Sequence, residues 1–177
     1  MSRTFNITAD CKPSLHYMVD ITDRLEKIKK MIDAGQYFTI NRARQYGKTT
    51  TLRALAKYLV QDYIVVSLDF QLLSHNDFAE EGAFVKAFSE AVLRKAGEGD
   101  IPAEIRRNLQ ELIGESQKAT LGGLFEILSV WCRISRKPIV MIIDEVDSAS
   151  NNQVFLDFLS QLRGYYIDRD VTPTFQS

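Results

Sequence analysis

Two runs of apolar, mostly β-branched residues constrain the fold of this chain more than any other feature. They are YIVVSLDF at 63–70 and KPIVMIIDEVD at 137–147. Runs this continuous are typical of strands that are buried on both faces of a parallel sheet. Between and around them apolar residues recur at helical spacing, and strands that alternate with helices indicate an α/β fold. We therefore predict an α/β domain with a mainly parallel sheet.

Helical spacing extends over most of the remaining chain. The predicted helices lie within 17–35, 47–61, 77–97, 101–114, 121–135 and 151–169. The first has Asp20 or Thr22 as its candidate N-cap and Gly35 as its candidate C-cap. QYFTIN at 36–41 is apolar, aromatic and β-branched, and it is predicted to be a strand that leads into the next loop. No repeat or linker divides the chain, so residues 1–177 are predicted to form one domain.

Composition and charge exclude several classes of protein. Of the 177 residues, 22 are Lys or Arg and 23 are Asp or Glu, so no overall charge draws the chain to nucleic acid or an anionic membrane. No signal peptide is evident, and no apolar run approaches the ~18 residues of a membrane span. Cys11 and Cys132 lack metal-ligand spacing and are predicted to be reduced thiols of a cytoplasmic protein, with a disulfide as the alternative. His16 and His75 are predicted to be surface or turn residues.

The sequence NRARQYGKTTTL at 41–52 contains the end of a phosphate-binding loop. Gly47, Lys48 and Thr49 match the tail of G-x-x-x-x-G-K-[ST] and fall between a predicted strand and a predicted helix, as that motif requires. There Gly47 lets the backbone approach phosphates, Lys48 brings a charge to the outer phosphates, and Thr49 offers a hydroxyl to Mg²⁺. Arg42, however, stands where the motif has its first glycine. A short GKT also arises by chance, so the loop alone does not establish a nucleotide site.

A second motif supports the first. PIVMIIDE at 138–145 is an apolar strand that ends in two carboxylates, as the Walker B element of NTPases does. Burial of the strand would hold Asp144 at the carboxyl edge of the sheet, where it can bind Mg²⁺, usually through water. Glu145 could then polarise a water molecule for attack on the terminal phosphate. Together the two motifs favour an NTPase.

Several polar residues near these motifs allow more than one interpretation. Asp69 ends the other apolar run, at the same predicted edge, and is a candidate for a supporting contact to the site. Asp147 and Ser148 could contact metal or nucleotide, or could cap the helix that follows. Arg42 and Arg44 would add positive charge beside the phosphates, or would be solvated loop residues.

The two motif regions resemble a known family, the predicted AAA-ATPases of bacteria and archaea, which are AAA-like and related to the signal-transducing (STAND) P-loop ATPases. The resemblance rests on residues 16–52 and 142–163 and extends over nearly the whole chain. It implies a three-layer α/β/α P-loop NTPase fold with ATP and Mg²⁺ as ligands. In this family an arginine-rich loop without the first glycine is normal.

By position, the resemblance also implies roles for individual residues. Lys48 and Glu145 would act in catalysis, with Glu145 as the base, and Thr49 and Asp144 would hold the metal. The implied nucleotide-binding residues are Asn41, Arg42, Ala43, Arg44, Gln45, Tyr46, Gly47, Lys48, Thr49 and Thr50.

The resemblance sets a further expectation about the C-terminal end. In such domains the strand after Walker B inserts between the Walker A and Walker B strands and bears a polar sensor residue, whereas this sequence stops at TPTFQS (172–177). The chain is therefore interpreted as a C-terminally truncated core without the sensor strand, the lid or a C-terminal module. An unpaired sheet edge would invite self-association or a protein partner.

Three functions remain open on the sequence alone. The first is Mg²⁺-dependent ATP hydrolysis to ADP and phosphate, coupled to a conformational switch. The second is a nucleotide-binding or interaction module with little or no hydrolysis. The third, nucleic-acid binding, is less favoured because the basic residues are dispersed, apart from Arg42, Arg44 and EIRRN at 104–108.

Overall fold

A computed structural model of the chain describes residues 20–41, 47–97, 99–115, 119–149 and 151–177. These residues form six α-helices and two β-strands. In chain order they are α1 (Thr22–Asp33), α2 (Lys48–Leu59), β1 (Ile64–Asp69), α3 (Glu81–Lys95), α4 (Ala103–Gly114), α5 (Leu121–Ile134), β2 (Ile139–Asp144) and α6 (Gln153–Ile167). Single 3₁₀ turns lie at Phe70–Leu72, His75–Phe78 and Val146–Ser148. The predicted α/β class and the predicted helices are confirmed.

The two strands are parallel and in direct register from Ile64 opposite Ile139 to Asp69 opposite Asp144. Both apolar runs therefore end at the same edge of the sheet. The connection between the strands contains α3, α4 and α5, which is the helical crossover that parallel pairing requires. Asp69 and Asp144 are directly opposite each other in this register, so their side chains lie on the same face of the sheet.

The larger hydrophobic core covers the opposite face, where β1 and β2 meet α3 to α6. Phenylalanine rings from three of these helices meet in its centre. The ring of Phe158 lies 5.3 Å from Phe84, 5.1 Å from Phe88 and 5.4 Å from Phe125, measured between centroids. Tilted and offset contacts of this kind add to the free energy gained by burying the rings.

A second core lies on the face that carries Asp69 and Asp144. Val140 and Ile142 of β2 pack there against apolar residues of the first two helices. Those buried helix residues are Leu25, Ile28 and Ile32 of α1 and Leu52, Leu55 and Leu59 of α2. This packing brings the N-terminus of α2 to the carboxyl end of β2.

The predicted strand at 36–41 is wrong. The segment follows Gly35, whose positive φ of 66° ends α1, and it has no strand assignment. Its side chains nevertheless alternate as those of a strand do, because Tyr37 packs on the larger core whereas Phe38 and Ile40 pack on the second. An extended segment becomes a strand only when a neighbour pairs with its backbone.

The residues beside this segment explain the missing ladder. Phe175–Ser177 lie between it and β2, and they bond to both. On the β2 side, the Gln176 amide donates to the Ile139 carbonyl at 2.8 Å and the Met141 amide donates to the Ser177 carbonyl at 2.9 Å. On the other side the contacts use side chains, such as the bond of 3.1 Å from the Tyr37 hydroxyl to the Phe175 carbonyl.

The cap residues of α1 lie one position from the predicted ones, because the N-cap residue is Ile21 and the C-cap residue is Ala34. Asp20 accepts from both the amide (2.9 Å) and the hydroxyl (2.7 Å) of Thr22, so Asp20 satisfies the first amide of α1. At the other end, the Gly35 amide donates to the Ile32 carbonyl at 2.8 Å. None of the described helices is long and apolar enough to cross a membrane.

Candidate functional site

The first half of the site is the start of α2. Lys48 is its first residue, and Gly47 precedes it in the left-handed conformation with φ of 69°. A Cβ atom added to Gly47 would meet none of the described residues within 4 Å, so these residues leave the space beside the turn open. The first amides of a helix lack intrahelical acceptors, and the helix dipole adds partial positive charge at this end. The turn can therefore receive an anion.

The second half is the carboxyl end of β2. Asp144 is its last residue and is only 8% exposed. Glu145 follows in a left-handed conformation with φ of 57°, which is costly for a residue other than glycine. The Glu145 amide donates to Oδ1 of Asp144 at 2.9 Å. The turn after β2 thus fixes the Asp144 carboxylate.

Three contacts join the two halves. Lys48 Nζ lies 3.0 Å from Oδ1 of Asp144 and 3.4 Å from Oε1 of Glu145. The hydroxyl of Thr49 donates to Oδ2 of Asp144 at 3.0 Å. The two sequence motifs, about a hundred residues apart, are therefore in direct contact.

The ion pairs determine the protonation of Lys48. Burial by itself lowers the pKa of Lys48, but the hydrogen bond to Asp144 and the charges of Asp144 and Glu145 outweigh burial and raise that pKa above its usual value. The ammonium therefore stays charged at neutral pH. Its side chain is 24% exposed and that of Glu145 is 41% exposed, so solvent reaches one side of the cluster.

The donor atoms fit a magnesium–phosphate group. The Asp144 carboxylate and the Thr49 hydroxyl are hard oxygen donors of the kind that Mg²⁺ prefers, and Mg²⁺ commonly takes one or two protein ligands together with substrate phosphates and water. Among the described residues, no group of three or more His, Cys, Asp or Glu is arranged to hold a metal ion by itself. Lys48 and the amides after Gly47 are the cationic and N–H groups that phosphates take.

The remaining predicted site residues have varied positions. Thr50 is half-buried in the first turn of α2, and Asn41 is exposed at the end of the extended segment. Arg42, Ala43, Arg44, Gln45 and Tyr46 lie outside the described residues. Asp69 stands opposite Asp144, but its Oδ1 accepts from the Gln71 amide at 3.0 Å and caps the 3₁₀ turn there. Its supporting contact to the site stays a prediction.

The predicted helix cap at 147–148 is wrong. Both residues belong to the 3₁₀ turn Val146–Ser148, and α6 begins only at Gln153, after Asn152. The 3₁₀ turn itself follows from the left-handed backbone of Glu145, which breaks the direction of β2.

Sequence reasoning did not anticipate the conformation of Glu145 or its ion pair with Lys48. Left-handed backbone is usually indicated by Gly, Asn or Asp, and glutamate gives no such signal. The pair also requires the side chain of Lys48 to lie over the carboxylates, and residue spacing does not specify this.

Comparison with known proteins agrees with the geometry. No match to the chain was found among curated proteins or among solved structures. A protein-family model described as an AAA-like domain matches residues 13–177. Since the match extends over nearly the whole chain, the protein belongs to the AAA-like ATPase family, whose domains suggest a nucleotide-binding function.

Proposed function

We propose that this chain binds ATP together with Mg²⁺ and hydrolyses it to ADP and phosphate, coupling the reaction to a conformational switch. The observation that carries the proposal is the contact of Lys48 and Thr49, at the start of α2, with Asp144 and Glu145, at the end of β2. The proposal includes a three-layer α/β/α P-loop NTPase fold as a single domain over 1–177.

Phosphate binding falls to the start of α2. The described residues leave open space at the Gly47 turn, and the first amides of α2 can donate to phosphate oxygens. The Lys48 ammonium, now on the carboxylates, would pair with the outer phosphates when a nucleotide enters. Arg42 to Tyr46 would complete the loop, as the family resemblance implies.

Thr49 and Asp144 would hold the metal, with Asp144 acting through water. When bound, Mg²⁺ supplies positive charge that offsets the charge developing on the phosphate oxygens. Asp144 is prepared for this role, since the Glu145 amide and the Thr49 hydroxyl fix the orientation of its carboxylate. A carboxylate that is already oriented does not need to reorganise during the reaction, so no free energy of reorganisation is added to the barrier.

Glu145 would be the general base. Its side chain is accessible to water, and it stands one residue beyond the residue that would hold the metal. It would accept a proton from a water molecule whose oxygen attacks the terminal phosphorus. The bond from that phosphorus to the bridging oxygen breaks, and ADP leaves with the electron pair.

A second candidate is a binding or interaction module with little or no hydrolysis. The backbone beside the site favours it, because among the described residues 36–41 forms no ladder and Phe175–Ser177 are joined to β2 by two backbone hydrogen bonds. A protein partner, or a second copy of the chain, could bind along the same edge of β2.

Phosphate release separates the two candidates. With ATP and Mg²⁺, the proposal expects turnover by the wild type well above that of Lys48→Ala, and Glu145→Gln should lose turnover while keeping nucleotide affinity. If the wild type binds ATP but releases phosphate no faster than Lys48→Ala does, the second candidate, a binding or interaction module, is the one supported. The exposed Lys57 of the same helix provides the matched control variant Lys57→Ala.

A further inference from the structure

Lys48 takes a position that the proposed function gives to a metal ion. Its ammonium is, within the part of the chain that the structure describes, the positive group that pairs with Asp144, and it lies within 3.4 Å of both carboxylates at the end of β2. One of these carboxylates would serve the metal and the other would be the base. The Lys48 ammonium therefore neutralises part of the negative charge of both carboxylates.

The hydrogen bonds on Asp144 show which group must move for a cation to enter. Oδ1 accepts from the Glu145 amide and from Lys48, and Oδ2 accepts from the Thr49 hydroxyl. The Thr49 oxygen keeps its lone pairs while it donates, so that bond is compatible with a metal on the same oxygen. The Glu145 amide belongs to the backbone. Of the described groups that contact Asp144, the Lys48 ammonium is the one that competes with a metal for the same negative charge.

Electrostatic repulsion and attraction determine whether the divalent ion or the phosphate chain binds first. A divalent ion brought to Asp144 would stand within a few ångströms of the ammonium in a partly buried site, where like charges are weakly screened. A phosphate chain at the start of α2 offers the ammonium a stronger partner than two carboxylates that already share it. When Lys48 swings to the phosphates, Asp144 regains negative charge for the metal and Glu145 loses its ion pair with Lys48.

We propose that Lys48 is an internal counter-ion that closes the metal position until a phosphate chain draws its ammonium away. The inference rests on the proposed function and deepens it. The site would take the metal together with a nucleotide and reject the free ion. Glu145 would remain paired with Lys48 until the nucleotide is in place.

Binding of Mn²⁺ alone, with no nucleotide present, tests this. The electron paramagnetic resonance signal of free Mn²⁺ would be titrated with wild type, Lys48→Met and the control Lys57→Met, which removes an equal charge from the exposed last turn of α2. The expected result is an affinity about tenfold higher or more for Lys48→Met, with Lys57→Met unchanged from wild type. Adding Asp144→Asn to Lys48→Met should abolish the gain.

Two results would overturn the inference. One is equal Mn²⁺ affinity in the wild type and Lys48→Met, and the other is a gain that persists without the Asp144 carboxylate. Lys48→Gln is the second variant, should Lys48→Met not fold, and the same affinities are expected of it. Because no nucleotide is present, these outcomes are separate from a failure of the wild type to bind ATP, which would refute the proposed function instead.

Discussion

The hydroxyl of Thr49 donates a hydrogen bond of 3.0 Å to Oδ2 of Asp144, joining residues 95 positions apart. It ties the first turn of α2 to the end of β2. The bond places a hydroxyl and a carboxylate side by side without help from Lys48. The two oxygen donors of the proposed metal site therefore form a pair of their own.

Replacing Thr49 tests this pair. Thr49→Ser keeps the hydroxyl and should keep the gain in ATP affinity that Mg²⁺ provides. Thr49→Val keeps the shape but not the oxygen, so that gain should fall by about tenfold, the free-energy equivalent of one good hydrogen bond or metal contact. Calorimetry with and without Mg²⁺ measures it. Equal Mg²⁺ dependence in both variants would refute the role of the hydroxyl.

The backbone of Glu145 gives a stability prediction. Its φ of 57° is unfavourable for residues with a Cβ atom but not for glycine. Glu145→Ala and Glu145→Gly both remove the carboxylate that pairs with Lys48, so their difference isolates the backbone. Glu145→Gly should have the higher free energy of unfolding, by about 1 kcal/mol, in urea denaturation. A less stable glycine variant would contradict the left-handed conformation.

Cys132 leads to a prediction about alkaline pH. Burial raises the pKa of its thiol from 9.0 to about 12. Because the thiol has the higher pKa in the folded state, the unfolded chain releases the thiol proton first. The thiol therefore contributes stability that is present below pH 9 and is lost as the pH rises toward 12. By pH 10.5 this loss is about 2 kcal/mol.

Urea denaturation at pH 8 and pH 10.5 measures the effect. Other groups, Tyr37 among them, share the direction of the shift, since burial raises the pKa of Tyr37 to about 12. The Cys132→Ala variant should therefore still lose stability at pH 10.5, but by about 2 kcal/mol less than the wild type. An identical loss in the variant and the wild type would show that the thiol is not buried as described.

Gln176 tests how the last residues are held beside β2. Its amide donates to the Ile139 carbonyl at 2.8 Å, and its side chain donates to the Ile32 carbonyl at 3.0 Å. Gln176→Ala removes the side-chain bonds, including a second one of 3.3 Å to the Asp33 carbonyl, but keeps the backbone bond, whereas Gln176→Pro removes them all. The proline variant should be the less stable by about 1 kcal/mol in urea denaturation. Equal stabilities would mean that the backbone bond to Ile139 does not form.

Much of the fold could be predicted because it depends on local periodicity and burial. Leu124, Phe125, Leu128 and Trp131 share one side of α5 by helical spacing alone, and all four are buried. The two continuous apolar runs became the two parallel strands for the same reason. The strand at 36–41 was mispredicted because its existence depends on a neighbour. Its side chains alternate correctly, but local sequence carries no information about the backbone partner.

The site divides in a similar way. That Asp144 lies at the carboxyl edge, near the start of α2, follows from a parallel sheet and a loop–helix motif. That Lys48 rests on Asp144 and Glu145, and that Glu145 adopts positive φ, depend on side-chain and turn geometry that residue type does not encode. These unpredicted features are the ones that suggest a closed metal position.

Isothermal titration with ATP and Mg²⁺ measures whether the start of α2 binds a nucleotide through Lys48. We expect saturable binding by the wild type and by Lys57→Ala, and an affinity at least about tenfold weaker for Lys48→Ala, which loses the charge that phosphates would contact. Absence of binding by the wild type at millimolar nucleotide, or equal affinity in Lys48→Ala, would contradict it.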